Sequence, residues 1–208
     1  MRLEEARNII ISAIVISIAF SIAILGGISK LIKTSITDFL AMLIFSFIVV
    51  AIGFIAHELG HRSVARRFGC YSEYKMWPNG LILAILLSFF GFVFAAPGAV
   101  VIHPRIDLWG RVIPLTKKKA GLISIAGSIM NIFLSITFLI LFIFFDNPIF
   151  YYGLNISAIF HYGSKINAWL AIFNLIPIPP LDGFKVFIWN KSAWLATIGI
   201  AIVLYALS

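Results

Sequence analysis

The chain has 208 residues, 62% of them hydrophobic and 12% charged, with a mean hydropathy of +1.06. Soluble domains are roughly half apolar and a quarter charged, so a water-soluble fold is excluded and an integral membrane protein is expected. The net charge of +8, from 16 Lys and Arg against 8 Asp and Glu, reads as basic loops orienting a helical bundle rather than as a nucleic-acid surface.

At about 20 residues per crossing, this length allows five or six spans with short connections and leaves no room for a separate soluble domain. The first apolar run, Ile9 to Ile28, exceeds a signal-peptide core and lacks a clear cleavage site, so it is read as a retained span. In chain order the predicted spans are 8–29, 38–61, 120–145, 165–181 and 192–208, with a shorter apolar stretch at 81–97. Cys70 is the single cysteine, which rules out an intrachain disulfide and says nothing of the redox compartment. The tryptophans at 77, 109, 169, 189 and 194 fall near predicted span ends, as interfacial anchors do. His103 and His161 lie in connections without a ligand-spaced partner and read as surface residues.

The longest connection, Arg62 to Lys119, carries nine basic residues: Arg62, Arg66, Arg67, Lys75, Arg105, Arg111, Lys117, Lys118 and Lys119. The positive-inside rule places that side in the cytoplasm. A full crossing by 81–97 would divide these charges between the two faces. If 81–97 dips in and returns, or lies at the interface, they stay together, and the connection 147–164, which has no Lys or Arg, lies outside. Charge therefore favours a re-entrant or interfacial element, buried in protein or lining a wet cavity.

At the cytoplasmic end of the second span stands His57-Glu58-Leu59-Gly60-His61. Histidines four apart share one helical face, with Cβ atoms ~6 Å apart, so both imidazoles can reach one metal while Glu58 handles protons. An ionisable group at bilayer depth costs on the order of 3 kcal/mol, and three within five residues argue for metal ligation over coincidence.

Catalytic zinc usually takes three protein ligands and keeps one open position. Asp182, in Asn174-Leu-Ile-Pro-Ile-Pro-Pro-Leu-Asp182-Gly183, is the candidate third ligand, with an ordinary turn residue as the other reading. Pro177, Pro179 and Pro180 should break the span and expose backbone beside the carboxylate. Co-ligands must share a depth. With 81–97 not crossing, His61 and Asp182 both end near the cytoplasmic face.

These residues resemble the site-2 protease family of intramembrane zinc metalloproteases, which carries HExxH on one span and a later Asn-x-x-Pro…Asp-Gly segment, here His57 to His61 with Asn174, Pro177, Asp182 and Gly183. The resemblance covers about residues 38–190. It implies one zinc per chain held by His57, His61 and Asp182, water activation by Glu58, and substrate orientation or oxyanion stabilisation by Asn174. For Asn174, a buried interhelical amide is the alternative. Gly127-Ser128-Ile129-Met130-Asn131 is similar to the family's Gly-Pro-x-x-Asn segment with Ser in place of proline, and small residues for close helix packing are the reading preferred here. Pro97 to Ile102 is similar to the family's re-entrant β element, an edge strand that would hold substrate extended, with a plain loop as the other reading. The insertion at 81–97 and Phe184 after Asp-Gly depart from the family's simplest pattern.

The expected fold is thus an all-α membrane protein: a polytopic helical bundle of about five to six transmembrane helices, with a three-helix catalytic core and a short re-entrant or β element. It forms one domain over 1–208, without a PDZ or nucleotide-binding module. The expected activity is hydrolysis of peptide bonds in or near transmembrane segments of protein substrates, in the cell membrane, with the lipid bilayer and those substrates as partners and no nucleic acid. A zinc or proton-coupled transporter and an inactive membrane-segment-binding homologue are the rivals. The former would line a path across the bilayer with more polar residues than these spans offer. The sequence leaves substrate identity, oligomeric state and gating open.

Overall fold

The computed structural model describes residues 3–104, 113–145, 150–151 and 154–208. Eight helices appear among them: α1 (Leu3–Ile24), α2 (Ile28–Leu31), α3 (Ile36–Arg67), α4 (Pro78–Ser88), α5 (Lys117–Phe144), α6 (Ile156–Asn174), α7 (Asp182–Trp189) and α8 (Lys191–Leu207). The strands are β1 (Tyr71–Met76), β2 (Gly98–His103), β3 (Phe150–Tyr151) and β4 (Leu154–Asn155). Three helices, α1, α3 and α5, are long and apolar enough to cross a membrane, and α4 and α8 are shorter apolar helices. Trp109, Arg105 and Arg111 lie outside the described residues.

The long helices begin where short polar side chains take up the free amides of the first turn. Ser35 accepts from the Asp38 amide at 3.1 Å and Thr116 from the Lys119 amide at 3.3 Å. Asn190 does the same for Ala193 at 3.0 Å, separating α7 from α8. Helix α3 ends at Arg67, and Gly69, whose φ of +70° suits glycine, turns the chain into β1. Helix α6 departs from the expected span at 165–181. It begins at Ile156 and stops at Asn174, and the segment with Pro177, Pro179 and Pro180 forms a turn before α7, as missing amide donors and fixed φ require.

The route of the 81–97 stretch is decided by strand pairing. β1 and β2 run antiparallel with Met76 opposite Gly98 and Tyr71 opposite His103, and the Trp77 amide donates to the Pro97 carbonyl at 2.8 Å. Both ends of the excursion are thus held side by side, so it cannot cross. It enters as α4, started by Pro78 at the first helical turn. It turns at Gly91, where φ is +79°, and returns without regular structure to β2.

Helices α3 and α5 pack closely, with Gly60 set against the Ala126 backbone. One buried cluster joins Ile16 and Phe20 of α1, Val49 and Val50 of α3, Leu81 of α4 and Leu170 of α6. Side-chain contacts bring the α1 amino end, the α3 carboxyl end and the α5 amino end to the same end of the bundle: Arg62 meets Glu5, and His61 meets Ile123. The turn after α6 joins them through His61 and Asp182.

Candidate metal centre

His57 and His61 are buried on the face of α3 that meets α5, and Asp182 is buried at the first position of α7. His61 Nε2 stands 2.9 Å from His57 Nε2 and 2.9 Å from Asp182 Oδ2, and His57 Nε2 stands 3.4 Å from the same oxygen. Ligand atoms at about 2.0–2.2 Å from a tetrahedral zinc lie ~3.3 Å apart, so the triangle has the dimensions such an ion needs.

The far side of each ring fixes its proton. His57 Nδ1–H donates to Asn131 Oδ1 at 2.6 Å, because the Asn131 amide nitrogen is committed to the Gly53 carbonyl at 3.1 Å and Asn167 Oδ1 at 3.2 Å. His61 Nδ1–H donates to the Ile123 carbonyl at 2.7 Å. In the neutral rings both Nε2 lone pairs then face the Asp182 carboxylate. Three unprotonated acceptors this close repel one another unless a cation sits among them. The donor set fits a zinc-type divalent ion.

Two glycines make room. A Cβ on Gly127 of α5 would lie 2.5 Å from His61 Nε2 and 2.6 Å from His57 Nε2, so any side chain there would intrude on the ligand atoms. A Cβ on Gly183 would lie 2.1 Å from the Leu175 carbonyl oxygen, and its absence lets the post-α6 turn fold tightly onto α7 and aim Asp182 inward. Trp194 closes that turn by donating its indole N–H to the same Leu175 carbonyl at 2.7 Å.

Glu58 points from α3 into a cavity with about 30 Å³ open to water, which His57, Asp182 and Asn174 also line. One Glu58 oxygen accepts from Arg62 Nε at 3.2 Å. The Arg62 guanidinium also binds Glu5 of α1, and Glu5 accepts the Tyr74 amide of β1 at 3.0 Å. The Tyr74 hydroxyl shares a hydrogen bond of 2.8 Å with Ser12, and burial raises its pKa, so it stays neutral. Asn174 turns its amide nitrogen to the Leu170 carbonyl, 2.8 Å away on its own helix. Val100 of β2 also lines the cavity, and its carbonyl accepts from Lys185 Nζ at 3.2 Å. Lys185 Nζ lies 3.8 Å from Asp182 Oδ1.

The sequence paired the three candidate ligands and set Glu58 beside them, and the structure gathers His57, His61 and Asp182 into one cluster, with His57, Asp182 and Glu58 lining the same cavity. Reading Gly127 to Asn131 as packing alone is corrected: Gly127 clears the metal position and Asn131 orients His57. Asn167, bonded to Asn131 and to the Gly163 carbonyl at 2.9 Å, was missed; a polar residue inside an apolar helix was its signal. His103 pairs with Glu73 at 3.3 Å on the surface. His161 departs from its surface reading: it lies within α6 and packs on Phe142. Trp169 and Trp194 each donate to a backbone carbonyl, Trp169 to Val93 at 2.9 Å.

A mostly helical membrane-type fold in which an HExxH helix and a later aspartate present three facing acceptors defines a protein of the zinc metalloprotease class. A protein of Methanocaldococcus jannaschii provisionally named a zinc metalloprotease is 42% identical to this chain over 79% of each. One of Bacillus subtilis, also provisionally named a zinc metalloprotease, is 29% identical over 71% of this chain and 69% of its own length. The chain belongs to this group of zinc metalloproteases, the site-2 protease family. No family model matches the sequence, and no solved structure matches it.

Proposed function

We propose that this protein hydrolyses peptide bonds within or near transmembrane segments of other membrane proteins, with zinc held by His57, His61 and Asp182. The observation that carries this reading is the convergence of three facing acceptor atoms beside a cavity that an acidic side chain lines, among helices apolar enough to cross a membrane. When bound, zinc supplies Lewis acidity to the scissile carbonyl and acidity to a coordinated water. Glu58 would take a proton from the attacking water on its carboxylate and return it to the leaving amine. Arg62 and Glu5 hold Glu58 in place from the α1 side. Asn174 turns from its helical carbonyl to the substrate or the developing oxyanion.

A helical substrate hides its carbonyls in hydrogen bonds and must be unwound before attack. The edge of β2 facing away from β1 supports an extended binding mode, since Val100 directs its carbonyl there and Lys185 can yield it to a peptide amide. A cavity with about 30 Å³ open to water admits solvent and no peptide. Ser12, Ala13 and Ile16 of α1 form part of its wall, so substrate entry requires α1 or the edge strand to move aside. The basic residues at the α3 and α5 ends support a site nearer the cytoplasmic face. In addition to α1, α3 and α5, helices α6 and α8 complete the set of spans.

The test is incubation of purified protein in detergent with a panel of single-span substrates whose helices are weakened by Gly or Pro, with fragments mapped by mass spectrometry. Cuts inside or beside the span that stop on chelation and return with zinc support the reading. Cuts that persist in chelator, or none across the panel from zinc-loaded protein, refute it.

A further inference from the structure

A second cavity, of about 250 Å³, lies toward the other end of the bundle. Its wall includes Phe20 and Ile24 of α1. Along that helix, Phe20 is about 22 Å from Glu5, the residue bound to Arg62. Gly91, at the turn of the re-entrant segment, forms its mouth, with open space around the position a Cβ would take. The far wall is Lys165 and Trp169 of α6 with Tyr205 of α8.

Lys165 lies midway along α6 and makes no ion pair among the described residues; its ammonium rests 5.2 Å from the centre of the Tyr205 ring. Tyr162 and Tyr205 line the same cavity, and neither hydroxyl bonds to a described residue. Among the described residues, one ammonium and two phenol O–H groups thus meet in a cavity lined by no carboxylate. The indole donor of this wall, Trp169 Nε1, is already used by Val93. A cation at bilayer depth without a counter-ion is costly, and a ring face offsets only part of that cost.

We propose that this cavity binds the phosphate of an anionic phospholipid, with Lys165 as its counter-ion, Tyr162 and Tyr205 as hydroxyl donors, and the acyl chains outside. Three features favour a lipid over a soluble anion. The wall carries apolar Phe20, Ile24 and Phe92; the volume suits a phosphate and its glycerol; and Phe90, beside the mouth, is 84% exposed for chains to cover. The bound headgroup would also brace the return segment, because Val93 is tied to Trp169 and the chain runs on from there to the cavity-lining residues Ala95 to Val100.

The experiment is native mass spectrometry of the intact protein released from detergent, titrated with phosphatidylglycerol or with diacylglycerol of the same chains. The wild type should hold one phosphatidylglycerol about tenfold more tightly than diacylglycerol. Lys165→Gln should remove that preference and Lys165→Arg should keep it. Bound zinc, unchanged in both variants, shows that the fold survives and keeps the result separate from the protease reading. The proposal is overturned if Lys165→Gln and the wild type retain phosphatidylglycerol equally. It is also overturned if diacylglycerol binds as tightly, or if millimolar inorganic phosphate displaces the lipid, which would mark a site for free anions.

Discussion

Replacing Asn131 by leucine removes the acceptor of His57 Nδ1–H and the donor to Asn167 Oδ1, both buried, and one of two bonds to the Gly53 carbonyl, which keeps its place in the α3 ladder. Each buried group left unpaired costs about 1–3 kcal/mol, so Asn131→Leu should lose about 2–6 kcal/mol of stability. His57 would also be free to rotate or change tautomer. Loss of such an outer partner typically lowers metal affinity by about 10–100-fold. Asn131→Asp keeps the acceptor facing His57 and gives up only the amide donors, so it should hold zinc more tightly than Asn131→Leu. Zinc affinity is read by competition with a fluorescent chelator, and stability by thermal unfolding of the chelated protein. Equal zinc affinity in Asn131→Leu and the wild type would refute the role given to Asn131.

Gly127→Ala puts a methyl group about where zinc and its ligand atoms must fit, at 2.5–2.6 Å from both Nε2 atoms, and zinc content after dialysis should fall to background. Arg62→Ala leaves Glu5, which is 2% exposed, as an unpaired buried charge. Breaking such a pair costs about 3–5 kcal/mol, and thermal unfolding should show a larger loss than for Glu5→Gln. The Tyr74 hydroxyl has a folded pKa raised above its unfolded value of 10.0 by burial. Its contribution is full below pH 10.0 and is lost as pH rises toward the folded value. The melting temperature should therefore decline above that pH, and decline less in Tyr74→Phe.

How much was legible depended on whether a signal was local. The pair His57 and His61 and the base between them follow from helical spacing within five residues. Asp182 followed from rarity, from the prolines before it and from a depth argument, because co-ligands must lie at one level. The structure joins it to His61 at 2.9 Å. The non-crossing route of 81–97 was legible in charge, and the pairing of Met76 with Gly98 supplies its physical basis. What stayed hidden depends on how helices rotate against one another. Nothing in the order of residues says that Gly127 faces two imidazoles or that Asn131 and Asn167 link α3, α5 and α6. The start of α6 at Ile156 was missed because polar His161, Ser164, Lys165 and Asn167 dilute its apolar signal, so window hydropathy placed the span too late. Arg62 and Glu58 are an i,i+4 pair, but the link on to Glu5 joins residues 57 positions apart and leaves no pattern in sequence.

The most direct measurement compares cleavage of one transmembrane substrate in detergent by the wild type and by Glu58→Gln, with bound zinc quantified in both proteins. The expected result is one zinc per chain in each and a loss of at least about 10²-fold in hydrolysis for Glu58→Gln. Wild-type cleavage by a zinc-loaded Glu58→Gln would contradict the assignment of Glu58 as the base, and with it the proposed hydrolytic mechanism.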